Sequence, residues 1–134
     1  MKMELLWIIS RNNKMNKNLE IALNKIYNTE VDIFFIEENE SLVCYKSRNH
    51  IIENEIPYID FFEDCIIYIN NNSKKYNIVL SKDENNIFIN ILFINKIDYS
   101  KPLIPEKKFV IKNKSLHNEL ISVILEAFIW VENN

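Results

Sequence analysis

No glycine occurs anywhere in this 134-residue chain. Every residue therefore carries a Cβ. Any turn that needs φ > 0 must be built from a residue that tolerates the left-handed region at some cost, asparagine first among them. The same absence removes whole classes of chemistry. A glycine loop around phosphates, a dinucleotide fingerprint and a glycine-flanked nucleophile elbow all need backbone that only glycine provides. Isoleucine, asparagine and lysine are abundant while alanine and threonine are scarce, the signature of AT-rich coding rather than of a particular fold.

What remains is ordinary globular material. Hydrophobic residues make up 48% and charged residues 26% of the chain, which excludes bulk disorder. The length fits one compact domain, so a single α+β domain over residues 1–134 is expected.

The apolar periodicity gives the elements. Residues 4–10 read as a short buried strand. Asn16 is placed as an N-cap, and Leu19, Ala22, Leu23, Ile26 and Tyr27 follow at the spacing of an amphipathic helix over about residues 17–28. Residues 31–37 and 42–46 read as a hairpin closed by Glu38-Asn39-Glu40. Residues 48–55 are less regular, and Pro57 marks a break. A meander is then expected over residues 61–94. It comprises an apolar run at 61–69, alternation at Tyr76, Ile78 and Leu80, and a nearly continuous apolar run at 87–94 that belongs in the centre of the sheet. Pro102 and Pro105 define a loop, Phe109-Val110-Ile111 an edge strand, and Ser115 the N-cap of a terminal helix over about residues 116–131. The expected architecture is one antiparallel sheet packed by the N-terminal and C-terminal helices.

The reactive residue types are few. Cys44 and Cys65 sit in apolar runs and are expected to be reduced and buried, in a cytoplasmic protein. No signal peptide or membrane span is recognisable. His50 falls in a loop and His117 in the first turn of the last helix, and both read as surface residues. Together with the cysteines they match no zinc-ligand spacing, so neither metal nor cofactor is expected. Carboxylates are the alternative resource. Glu106-Lys107-Lys108 has the E-x-K spacing of metal-dependent nucleases, with Asp60, Glu63 and Asp64 as further acids.

Charge is distributed unevenly. Residues 30–64 hold ten acidic side chains against two basic ones, Lys46 and Arg48, a segment charge of −8 in a chain whose total is −3. Concentrated like charge opposes folding, so it points either to a solvated face or to a docking surface for a basic partner. The expected docking residues are Glu37, Glu38, Glu40, Asp60, Glu63 and Asp64, with Tyr45 and Tyr58 as aromatic anchors. No basic stripe with interleaved aromatics exists, so direct nucleic-acid binding is not expected. The function this favours is non-catalytic: an immunity or antitoxin-type protein that blocks a bacterial toxin such as a nuclease. A small carboxylate-dependent metal hydrolase and a phage or mobile-element structural subunit are the alternatives.

Overall fold

The structure, a computed structural model, describes residues 13–134. It is α+β, with three helices and two antiparallel three-stranded sheets. The order is α1 (Asn13–Ile26), β1 (Val31–Glu37), β2 (Leu42–Ser47), β3 (Asn54–Pro57), α2 (Tyr58–Asn72), β4 (Tyr76–Lys82), β5 (Asn86–Phe93), β6 (Lys107–Lys112) and α3 (Leu116–Asn133). Two compact units divide the chain within α2, the first ending at Glu63 and the second running over Asp64–Asn134.

In the first unit the sheet order is β1-β2-β3. Helix α1 buries Leu19, Ala22 and Leu23, three positions on one helical face. Its Asn24 side chain accepts the Val31 N–H at 2.8 Å, fixing where β1 begins. Tyr27 stacks on Tyr45 of β2, with centroids 5.5 Å apart. Three residues adopt positive φ: Asn28 (49°), Ser41 (57°) and Asn49 (67°). Asparagine fills two of these positions, as a chain without glycine requires, and serine takes the third.

The second sheet has the order β4-β5-β6, so β5 is central, as its continuous apolar run predicts. Helix α3 covers one face, where Ile89, Ile91 and Ile111 are buried and Trp130 meets Tyr76 edge to face at 5.1 Å. The outer edge of β4 is partly closed by side chains. Ser73 Oγ accepts the Tyr76 N–H at 3.1 Å. Asn70, from the last turn of α2, accepts the Ile78 N–H at 2.7 Å and donates to the Ile78 carbonyl at 3.1 Å. One asparagine thus stands in for a fourth strand at that residue.

Several expectations are corrected. Residues 61–69 are helical rather than extended, so the meander centred on residues 61–94 reduces to β4, β5 and β6, and there are two sheets rather than one. Tyr58, Phe61, Phe62, Cys65 and Ile69 recur at i, i+3, i+4, i+7 and i+11. That spacing aligns them on one helical face, and the last four are buried. Asn16 lies inside α1 and is buried, not at its start. Ser115 does occupy the N-cap of α3, but its hydroxyl makes no capping bond, and a single 3-10 turn (Asn113–Ser115) leads into the helix instead. The strand expected at residues 4–10 lies outside the described residues.

Candidate functional site

The β1–β2 hairpin concentrates the acid. Glu37 ends β1 half-buried and accepts the Asn39 N–H at 3.2 Å, while Glu38 and Glu40 are exposed in the turn. The turn is tied to the start of α2 by the Tyr58 N–H, which donates to the Ser41 carbonyl at 3.0 Å. The edge strand β3 brings more carboxylate to the same place. Glu55 pairs opposite Cys44, which on its other side pairs with Phe35, so the three share one face of the sheet. Glu53, just before β3, is exposed.

Two interior groups register this field. Burial pushes the Cys44 thiol up to about 12, and Glu53, Glu55, Glu37 and Glu40 each push in the same direction. Burial likewise raises the Tyr58 phenol to about 12, reinforced by Glu38 and Glu37. Five carboxylates therefore act together on one thiol and one phenol. Neither group is activated by this: a protonated buried thiol is not a nucleophile. Among the described residues, Glu38, Glu40, Glu53 and Glu55 form no ion pair. Of the two basic residues nearby in sequence, Arg48 is bound to Glu30 at 3.3 Å. What the arrangement offers is a negative surface whose four glutamates make no ion pair among the described residues.

The remaining predicted residues divide. Tyr45 is buried against Tyr27, with burial raising its phenol, so its ring belongs to the core and not to an exposed anchor. Tyr58 is half-buried at the first position of α2. Asp60 and Glu63 are exposed on α2, and Asp64, where the second unit begins, is half-buried. Helical spacing puts Asp60, Glu63 and Asp64 at i, i+3 and i+4 on one side, away from Phe61 and Cys65. Their place in the first two turns also suits the positive end of the helix dipole.

Sequence reasoning missed an exposed apolar pair. Ile51 and Ile52, in the irregular stretch before β3, are 95% and 77% exposed. Their segment is held at its base by the Arg48 N–H donating to the Glu30 carbonyl at 2.7 Å and the His50 N–H to the Ser47 carbonyl at 3.1 Å. The adjacent acids Glu53 and Glu55 were the signal available in the sequence. A second missed feature belongs to the second unit. The loop after β5 walls a cavity of about 570 Å³ over Leu92 and Phe93, lined also by Pro102, Leu103 and Ile104.

Both ends of the nuclease-like spacing have other contacts. Glu106 holds Lys96 at 2.9 Å, whereas the Lys108 ammonium lies 5.0 Å from the centroid of the Phe88 ring. Among the described residues no three His, Cys, Asp or Glu side chains group to hold a metal. Cys44 and Cys65 are buried free thiols, and burial raises Cys65 strongly, with Asp64 adding to it. Both histidines are exposed. Among the described residues no helix is long and apolar enough to cross a membrane. No family model, curated protein or solved structure matches this chain.

Proposed function

We propose that this protein is a non-catalytic binding protein whose acidic hairpin surface docks a basic protein, in the manner of an immunity or antitoxin-type inhibitor of a bacterial toxin. One observation carries the reading: Glu37, Glu38, Glu40, Glu53 and Glu55 act together around Cys44 and Tyr58, and the four of them outside the β1 terminus have no ion pair among the described residues. Such a field lowers stability in the free chain and is relieved when a cationic surface covers it. A toxin nuclease is a natural occupant, because its own active site is basic to hold phosphate. Ile51 and Ile52 supply apolar contact beside the acid, the usual anatomy of an anchor within a polar rim. The reading is that of a protein acting without cofactor.

The test is affinity capture from the native host with the wild-type chain and with the Glu38→Gln, Glu40→Gln, Glu53→Gln, Glu55→Gln variant. The expected result is a basic protein held by wild type at low salt and released by the variant or by high salt. Added wild-type chain should suppress its activity stoichiometrically. Capture that ignores both the neutralisation and the salt overturns the reading.

A further inference from the structure

Two surfaces of this chain are open, each carries a pair of exposed apolar side chains, and they are opposite in charge. The first is the outer side of α2. Ile59 and Ile67 are each 54% exposed; the exposed Glu63 lies midway between them in an i, i+4, i+8 row, and the exposed Asp60 lies beside Ile59. Helical geometry gathers these four residues within about 100° of arc. The eight-residue separation of the isoleucines sets their Cα atoms about 12 Å apart along the axis.

The second surface is the face of the β4-β5-β6 sheet turned away from α3. Register puts Val79, Asn90 and Lys108 in one row across it, and Ser81, Phe88 and Val110 in the next. Val79 and Val110 are 42% and 44% exposed, with the half-buried Phe88 ring between them and Lys108 over that ring. Lys112 follows on the same face and is exposed. Two strand spacings across and two residues along separate Val79 from Val110 by about 12 Å on the diagonal. The apolar pair on the helix and the apolar pair on the sheet therefore have the same span. Carboxylates accompany one, and ammonium groups the other.

We infer that these two surfaces are the two halves of a contact between copies of this chain, the outer side of α2 of one copy lying diagonally over the open sheet face of another. Ile59 and Ile67 sit against Val79, Phe88 and Val110, while Asp60 and Glu63 meet Lys108 and Lys112. The contact joins unlike surfaces, so it is heterologous and builds a ring or a chain unless two copies satisfy each other reciprocally. It is independent of the hairpin surface proposed for the basic partner, and it assigns the α2 carboxylates to a different role.

The test is sedimentation of the full chain over a concentration series at low and at high salt, with variants on both surfaces. Wild type is expected to self-associate at low salt and to dissociate toward monomer as salt screens the pairs. Asp60→Lys with Glu63→Lys, or Lys108→Glu with Lys112→Glu, weakens association by about tenfold or more, since like charges then face each other. Mixing those two variants restores it, because each presents the surface the other now needs. Ile67→Ser and Val110→Ser, both at exposed positions that leave the fold intact by circular dichroism, weaken it without changing charge. Lys74→Glu with Lys75→Glu, off both surfaces, leaves it unchanged. A wild-type chain that is monomeric throughout overturns the inference, as does association that survives either reversal, or a mixture that stays monomeric.

Discussion

The two units use the same building block, a three-stranded antiparallel sheet, and differ in how the carboxylates of their turns are engaged. In the second unit three carboxylates are occupied locally, whereas the buried Glu119 Oε2 has no hydrogen-bond partner among the described residues. Asp83 accepts the N–H groups of Asn85 and Asn86, both at 2.8 Å, and closes the β4–β5 turn. Asp98 accepts from the Ser100 N–H and hydroxyl at 3.0 and 2.6 Å. Those hydrogen bonds lower both carboxyls below their ordinary value. Glu106 holds Lys96. In the first unit the corresponding turn residues Glu38 and Glu40 form no ion pair among the described residues, and their charge raises a neighbouring phenol or thiol. Carboxylates that close turns explain themselves. Those that only add repulsion cost the free chain stability, which sets the hairpin apart from the β4–β5 turn, where Asp83 is hydrogen-bonded.

The largest effect that bears on this contrast is expected from alkali. Cys44 and Tyr58 lie well above their ordinary values in the folded chain, and Cys65 does too. A raised folded pKa contributes stability that is complete below the unfolded pKa and is lost as pH climbs through the folded one. Denaturant midpoints should therefore fall progressively from about pH 9 toward about pH 12. Glu53→Gln with Glu55→Gln should move the Cys44 part of that loss to lower absolute pH and leave the Cys65 part in place, as read by thiolate absorbance. Equal movement of both thiols would break the distinction between the units.

A smaller effect is expected at the β4 edge. Asn70→Ala removes both bonds to Ile78 and should cost about 1 kcal/mol, with faster hydrogen exchange at the Ile78 amide and little change in β1 or β2. Exchange that accelerates equally in the two sheets would show that the edge closure is not local.

The smallest effect carries the most information about function. Glu38→Gln and Glu40→Gln should each change stability by less than about 0.5 kcal/mol, in the stabilising direction, because only repulsion is removed. The Tyr58 phenol should titrate at lower pH in Glu38→Gln, measurable by ultraviolet absorbance. A clear destabilisation would mean that these acids are structural after all, as Asp83 is.

Much of the framework was legible in the chain. The hairpin over β1 and β2, the central place of β5 and the extent of α3 follow from local apolar patterns that no distant contact reverses. Helix α2 was misread because Phe61, Phe62, Ile66, Ile67 and Ile69 favour strands by side-chain type, while the helical evidence lay in spacing. Pro57 immediately before the first turn and Asp60 within it were the punctuation that argued for a helix start. The acid was legible as a quantity, since −8 over residues 30–64 is a count. Its focus was not, because Glu55 reaches Cys44 only through the pairing of β3, which follows an irregular stretch. The inward position of Tyr45 was hidden for a related reason. Cys44 and Tyr45 point to opposite faces of β2, and both are buried, so alternation alone cannot say which face is wet.

The asparagine at the end of α2 has a consequence for life in a crowded solution. An unpaired strand edge is a template on which foreign chains can polymerise, and the usual protections are charge, proline or a bulge. Here the protection at Ile78 is a decoy: one amide side chain imitates the hydrogen-bonding pattern of a passing strand and occupies the place it would take. Such a guard depends on the helix turn that carries it. If the last turn of α2 frays, the edge at Ile78 is uncovered in the same event, so exposure of β4 at that residue follows the fraying of a helix end.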